Sequence, residues 1–190
     1  MNAAEYKNMI QGRINKAQGK NFEDEIDQTC AYYRSTGQAY IEKNHEPFTV
    51  TRSLGRGQFM GHFAKASQTD YTGILAGGRA VCFEAKYTAT DRLTQDRVEP
   101  HQAADLDEKS KLGALCFVLC AIDCTVYAVP WAVWKNMKSE FGHKYLSRED
   151  GRKYEVERRD GAILFLEKIA AVTGKQYEKE NGSHDEAKEE

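Results

Sequence analysis

The chain has 190 residues, 41% of them hydrophobic, and a formal net charge of −2 at pH 7. This length suits one domain with a substantial core. The N-terminal segment is polar and no apolar run approaches the ~18 residues of a membrane span, which predicts a soluble, cytoplasmic protein. Five cysteines, an odd number set mostly within apolar runs, argue against a disulfide scaffold and favour a reducing compartment.

The first predicted elements are a basic arm and a helix. Residues 1–20 are mainly basic where charged, which predicts a mobile arm or a short helix. Apolar residues then recur at helical spacing and predict a helix from about Phe22 to Arg34, stopped by Gly37. Glu23 flanks the apolar stripe of this helix, at a position where the helix dipole alone also favours an acid.

A strand at 39–43 and then a hairpin arm over residues 47–66 are predicted next. Two runs of β-type residues flank the sequence Gly55-Arg56-Gly57, so a glycine-flanked arginine is expected at the tip. From residue 49 to residue 66 the charged side chains are all basic, namely Arg52, Arg56 and Lys65. Because local charge decides where a polyanion settles, the arm is a candidate DNA-binding element, and a plain surface hairpin is the alternative.

A second predicted hairpin carries the most informative residues of the chain. If residues 76–78 form a three-residue glycine loop, Asp70 lies directly opposite Glu84 on the paired strand. Glu84 and Lys86, two residues apart on one strand, project from the same face. Two carboxylates and one ammonium group are therefore expected at a single site.

This arrangement predicts a metal site. Cross-strand Cβ atoms lie roughly 4.5 to 5.5 Å apart, so Asp70 and Glu84 could hold one hard divalent cation and would repel each other without it. Mg²⁺ suits one or two carboxylates plus water and phosphate, with Mn²⁺ as a substitute. Lys86 could then orient water or counter charge on a phosphoryl oxygen. The alternative is an ordinary solvated strand whose charges merely pair.

The rest of the chain predicts a helix, buried strands and a tail. Pro100 opens a helix that runs to about Lys111 and has Gln102 in its first turn. Continuous apolar runs predict buried strands at 115–122 and 125–129. The following helix carries Trp131 and Trp134 as core or dimer contacts, residues 162–172 form an apolar amphipathic segment, and residues 175–190 form a disordered acidic tail. The main domain is thus predicted at 21–174.

The sequence TDYTGILAGGRAVCFEAK resembles the catalytic hairpin of the RecU-type Holliday junction resolvases, a branch of the PD-(D/E)xK nuclease superfamily. The resemblance continues in GKNFEDEIDQTCAYYRSTGQAYIEKNHEP, FAKASQTDY and HQAADLDEKSKLGALCFVLCAIDCTVYAV, and covers most of residues 17–130. It implies a restriction-endonuclease-like α/β fold in which helices flank a mixed central sheet and the hairpin arm projects as a stalk.

The resemblance also implies residue roles. Asp70 and Glu84 correspond to metal-binding carboxylates, Lys86 to the residue that stabilises the transition state, and Gln102 to a further ligand. Glu23 corresponds to a first-helix glutamate that approaches the metal. Two departures are visible: the interval from Asp70 to Glu84 is one residue longer than is usual in the family, and Gln68 stands where a metal-binding threonine is expected, which leaves Gln68 and Thr69 open as contributors.

The leading functional hypothesis is a magnesium-dependent endonuclease that resolves four-way DNA junctions, as a homodimer, in recombination and repair. Its substrate would be branched double-stranded DNA. The protein itself would be cytoplasmic and associated with the nucleoid or, if encoded by a phage, would act in the host cytoplasm. Another PD-(D/E)xK endonuclease of the restriction or phage DNA-degrading type is the alternative among enzymes. A noncatalytic DNA-binding repair protein is the alternative outside them.

Overall fold

The computed structural model describes residues 3–45, 48–63 and 69–182. Its helices are α1 (Ala3–Ser35), α2 (Pro100–Lys111), α3 (Trp131–Lys135), α4 (Met137–Phe141), α5 (Arg148–Gly151) and α6 (Phe165–Gly182), with short 3₁₀ turns at Gln95–Arg97 and Arg152–Tyr154. Its strands are β1 (Ala39–Lys43), β2 (Phe48–Gly55), β3 (Gln58–Phe63), β4 (Tyr71–Leu75), β5 (Ala80–Thr88), β6 (Arg92–Thr94), β7 (Leu115–Ile122), β8 (Thr125–Pro130), β9 (Tyr145–Ser147), β10 (Arg158–Arg159) and β11 (Ala162–Ile163).

The central sheet has the order β1-β4-β5-β7-β8. Strands β5 and β7 are parallel and are joined through α2, whereas the other neighbouring pairs are antiparallel. A parallel pair requires a crossover connection, and the segment between β5 and β7 contains the helix that makes one. The predicted mixed sheet is confirmed.

Helices cover both faces of this sheet, and the strands are buried between them. On one face α1 and α6 pack over Val81 and Phe83 of β5, with Tyr71 and Phe117 stacked on either side of the Phe83 ring at centroid distances of 4.8 and 4.7 Å. On the other face α2, α3 and α4 pack over Cys82 and its neighbours. Side chains alternate between faces along a strand, so Glu84 is directed to the same side as Cys82, under α2.

The buried side of that second face includes both tryptophans. Trp131 and Trp134 are 3% and 0% exposed, so both belong to the core, which is one of the two roles predicted for them. Four of the five cysteines are also buried, and all five are free thiols. Among the residues that the structure describes, no helix is long and apolar enough to cross a membrane.

The two terminal helices are longer than the sequence pattern predicted. Helix α1 begins at Ala3, not near Phe22, so the segment predicted as a mobile arm or short helix forms its first turns. A long-range contact helps to hold this part, because the Tyr87 hydroxyl donates a 2.7 Å hydrogen bond to Gln18 Oε1. At the other end α6 continues to Gly182 through the start of the predicted disordered tail, and residues 183–190 lie outside the described ranges.

The hairpin arm forms a two-stranded sheet of its own from β2 and β3. Arg56 and Gly57 make its two-residue turn with φ values of 51° and 76°, the positive values that a tight hairpin turn of type I′ needs. The predicted glycine-flanked arginine at the tip is confirmed. All side chains from residue 49 to residue 60 are exposed, so both faces of the arm are open to solvent.

Strict alternation along the arm is interrupted. The register shifts between Val50 and Arg52 and again between Ser53 and Gly55, which indicates β-bulges. A bulge adds a residue to one strand, so the simple two-residue period inferred from the sequence does not assign each arm residue to a face.

Candidate active site

The hairpin of β4 and β5 has the predicted register. Its paired residues run from Tyr71 opposite Phe83 to Ile74 opposite Ala80, and the Leu75 amide donates a 2.8 Å hydrogen bond to the Arg79 carbonyl oxygen. Gly77 and Gly78 both have φ of 89°, a backbone region that disfavours side chains with a Cβ atom. One step beyond Tyr71 and Phe83, this register sets Asp70 across from Glu84.

Asp70, Glu84 and Lys86 meet at the open end of this hairpin. The Asp70 amide donates to Glu84 Oε1 at 3.1 Å, and the Ala85 amide donates to Asp70 Oδ2 at 2.9 Å. Lys86 Nζ lies 2.7 Å from Glu84 Oε2 and 3.6 Å from Asp70 Oδ2. The predicted convergence of two carboxylates and one ammonium group is therefore present in the structure.

Burial makes this cluster electrostatically unusual. The Glu84 side chain is 0% exposed, and its pKa is raised to about 8 by burial and by the charge of Asp70, against the opposing effect of Lys86. Near neutral pH a proton or a cation is therefore needed to neutralise the Glu84 carboxyl group.

The donor set fits a hard divalent cation. Asp70, directly before β4, and Glu84, on β5, supply carboxylate oxygens, and the described part of the chain contains no group of three or more His, Cys, Asp or Glu side chains suited to a metal. Mg²⁺ is commonly held by one or two carboxylates, with water and phosphate oxygens completing its shell. Asp70 and Glu84 therefore match the number and kind of protein carboxylates that Mg²⁺ commonly uses.

The strand end of β1 adds residues that the sequence reasoning missed. Asn44 donates from its side-chain Nδ2 to the Thr69 carbonyl oxygen at 2.6 Å and from its backbone amide to the Asp70 carbonyl oxygen at 2.8 Å. Its Oδ1 accepts a 2.9 Å hydrogen bond from the Thr72 hydroxyl. Asn44 therefore fixes the backbone that carries Asp70, a role visible only once β1 is known to pair with β4.

Glu23 lies near the site in an ion pair. Its Oε2 is 2.8 Å from Lys43 Nζ, at the end of β1. Burial lowers the pKa of Lys43, but the hydrogen bond to Glu23 and the negative charges of Glu23, Asp27 and Asp70 raise it overall. Glu23 is thus positioned at the edge of the Asp70 region with a cation of the chain as its partner. Lys43 is a second residue that the sequence analysis did not select.

Gln102 occupies the first turn of α2, as predicted, and is buried. Its Oε1 accepts a 3.1 Å hydrogen bond from the Glu99 amide, so the atom that would bind a cation also caps the helix. Within the described ranges, no hydrogen bond joins Gln102 to Asp70, Glu84 or Lys86. Its predicted role as a metal ligand stays a prediction.

The basic residues of the arm belong to a different part of the molecule from the carboxylates. Arg52 lies on β2 and Arg56 at the tip, both exposed. Lys65 and Gln68 fall within residues 64–68 and lie outside the described ranges. The roles predicted for these residues in binding DNA or metal stay predictions.

Comparison with known proteins gives one family and several relatives. Residues 17–173 match the family Recombination protein U. A Holliday junction resolvase RecU of Bacillus pumilus is 29% identical over 70% of this chain and 68% of its own length. One from Streptococcus pneumoniae is 34% identical over 53% of this chain and 54% of its own length, so the chain spans about half of that relative. A solved structure of Hjc, a Holliday junction resolvase of Archaeoglobus fulgidus, matches with a TM-score of 0.41 and 9% identity over 70% of this chain and 91% of that chain.

Proposed function

This chain belongs to the Recombination protein U family, and from that membership we propose that the protein is a magnesium-dependent endonuclease that resolves four-way DNA junctions. The observation that carries the proposal is the contact of Lys86 with Glu84 at 2.7 Å and with Asp70 at 3.6 Å. Two buried or half-buried acids directed toward each other serve no purpose in a protein that only binds a polyanion. The names of the relatives, which are Holliday junction resolvases, support the choice of substrate.

In this proposal Asp70 and Glu84 hold the metal, and Gln102 supplies a further oxygen. A bound Mg²⁺ would acidify a water molecule and offset charge on the scissile phosphate. Lys86 Nζ lies 2.7 Å from Glu84 Oε2, and the Lys86 side chain is 14% exposed. From this position it can donate a hydrogen bond to a phosphoryl oxygen or orient the attacking water. Its contacts with Glu84 and Asp70 hold the ammonium group beside the two carboxylates.

The arm gives the proposed enzyme a surface for branched DNA. Arg52 and Arg56 bring positive charge to a hairpin that is exposed on both faces. The arm also exposes apolar side chains, which are Val50, Leu54, Phe59 and Met60. Phosphate contacts from the arginines would orient the branched substrate, because such contacts set position while carrying no sequence information.

A homodimer is part of the proposal, because resolution needs two cuts at symmetry-related positions. A two-fold assembly presents two identical sites in that relation. Each protomer would then cleave one of two strands of like polarity.

The proposal is tested with labelled four-way junctions and linear duplexes of matched sequence, incubated with the protein in Mg²⁺ and in EDTA. We expect symmetric nicks in the junction when Mg²⁺ is present and none in EDTA. Cleavage of the linear duplex in Mg²⁺ should be far slower. Equal cleavage of both substrates would instead assign the protein to the general PD-(D/E)xK endonucleases. Junction binding without cleavage in any divalent metal would assign it to noncatalytic binding proteins.

A further inference from the structure

Thr69, the residue before Asp70, is held through every polar atom it has. It is 0% exposed. Its amide donates to Asp105 Oδ2 at 3.0 Å, its hydroxyl accepts from Lys109 Nζ at 2.9 Å, and its carbonyl oxygen accepts from Asn44 at 2.6 Å. Two of these three partners come from α2, and the third, Asn44, directly follows β1.

The two α2 residues are themselves bound to each other. Asp105 and Lys109 lie one helical turn apart, with Lys109 Nζ 2.6 Å from Asp105 Oδ2. Burial raises the pKa of Asp105, but the hydrogen bonds from Lys109 and Thr69 lower it overall. Asp105 therefore stays ionised and remains an acceptor for the Thr69 amide throughout the neutral range.

The contacts that hold Thr69 also restrict the position of Asp70, the next residue in the chain. Its own amide donates to Glu84 at 3.1 Å and its carbonyl oxygen accepts from the Asn44 amide at 2.8 Å. The planar peptide unit between Thr69 and Asp70 is held at both its C=O and its N–H, and the units before and after it are each held at one group, so the backbone at Asp70 has little freedom. The spacing of the Asp70 and Glu84 carboxylates is therefore set by α2 and β1 together.

We propose that Asp105 and Lys109 are positioning residues for the active site, which act through Thr69 to hold Asp70 at the spacing from Glu84 that a divalent cation requires. This inference rests on the proposed function, in which Asp70 and Glu84 bind the metal. Residues that orient metal ligands from outside the coordination sphere commonly change metal affinity by ~10- to ~100-fold when replaced. An ordinary ion pair on a helix surface has no such effect on a distant site.

The same helix offers a matched control. Asp107 is paired with Lys135 at 3.0 Å and accepts a 2.7 Å hydrogen bond from Trp131 Nε1. It has the same charge and also contacts a lysine and a buried neighbour, but it supports α3 and not the loop of Asp70. Replacing Asp107 tests what loss of an α2 ion pair does to stability alone.

The experiment is calorimetric titration of the DNA-free protein with Mn²⁺, paired with thermal unfolding in EDTA. Asp105→Ala should raise the Kd for Mn²⁺ by about 10-fold or more, and Asp105→Asn by less, because its amide oxygen can still accept from Thr69. Asp107→Ala should lower the Tm and leave the Kd for Mn²⁺ within about twofold of the wild type.

Two further variants keep the test decisive if Asp105→Ala fails to fold. Thr69→Val removes only the hydroxyl acceptor of Lys109, and Lys109→Met removes only the donor, so both should weaken Mn²⁺ binding in the same direction. A lower Tm with unchanged Mn²⁺ affinity in these variants would overturn the inference and leave the proposed function intact. Failure of the wild type to bind Mn²⁺, or equal affinity in Asp70→Asn, would overturn the proposed function and the inference with it.

Discussion

Glu84 illustrates how a single buried residue sets the chemistry of this site. Its carboxyl group is removed from water and shares its surroundings with Asp70, and Lys86 offsets only part of the cost of ionisation. A raised pKa means that the ionised Glu84 carboxylate is destabilised in this site. Binding of a proton or of a metal ion removes that destabilisation.

The raised pKa of Glu84 predicts how stability depends on pH. The folded-state pKa of about 8 lies above the ordinary value of 4.5, so the neutral carboxyl contributes stability that is complete below about pH 4.5 and is lost as pH rises through about 8. In EDTA, the free energy of unfolding of the wild type should fall by roughly a few kcal/mol over this range relative to Glu84→Gln. Urea unfolding of both proteins at several pH values measures the difference, and parallel pH profiles would show that Glu84 titrates normally.

Lys86 is predicted to act on the transition state and not on metal binding. Lys86→Ala removes one preorganised donor and should cost about 2.7 to 4 kcal/mol of transition-state stabilisation, while the Kd for Mn²⁺ changes little. Single-turnover cleavage of a junction at saturating Mg²⁺, with a parallel Mn²⁺ titration, separates the two effects. A variant that cleaves normally once Mg²⁺ is saturating would assign Lys86 to metal binding instead.

At the scale of elements, the arm and the hairpin of β4 and β5 have separate tasks. The arm is a two-stranded sheet exposed on both faces, whereas β5 is paired on both sides within the central sheet. Changes in the arm should therefore alter substrate binding without altering the carboxylates.

The arm predicts a distinct binding phenotype for Arg52 and Arg56. Replacing both by alanine should weaken junction binding and reduce its salt dependence by about two phosphate contacts, with a far smaller effect on linear duplex. Arg148 and Arg159, which are paired with Asp123 and Glu157 on the body, provide a control with the same change in charge.

Fluorescence anisotropy across a range of salt concentrations measures these affinities. Equal loss for junction and duplex would make the arm a nonspecific phosphate contact. Unchanged affinity for both would remove it from the binding surface.

Local signals made much of this fold predictable. The register that sets Asp70 across from Glu84 follows from a glycine loop and a two-residue period, both contained within residues 70–86. The bounds of β1, α2 and β7 follow similarly from apolar runs, Pro100 and Gly113. In each case the residues that decide the structure are close together in the sequence.

The parts that were not predicted depend on contacts between distant segments. The extension of α1 to Ala3 involves the bond from Tyr87 to Gln18, and the ion pair of Glu23 with Lys43 depends on where α1 meets β1. Asp105 and Lys109 have the spacing of an ordinary helical ion pair, so only their contacts with Thr69 distinguish them. Sequence alone therefore supplied the acids and the lysine of the site but not the residues that hold them in place.

At the scale of the whole molecule, charge is distributed unevenly. The net charge of −2 includes an excess of acids in the last sixteen residues, which contain three lysines and six acids. The rest of the chain is slightly basic, and the arm has arginines without acids from residue 49 to residue 63. Such a distribution suits a protein that approaches DNA through one region while remaining close to neutral overall.

Cleavage and binding of one labelled four-way junction by Asp70→Asn test the central claim most directly. In Mg²⁺ we expect cleavage to fall by at least ~10²-fold, because the metal loses a carboxylate, while junction affinity is unchanged or tighter, because less negative charge faces the phosphates. Asp160→Asn, the same replacement in the exposed turn between β10 and β11, should preserve both properties. Cleavage by Asp70→Asn at the wild-type rate would contradict the assignment of this site as the active site.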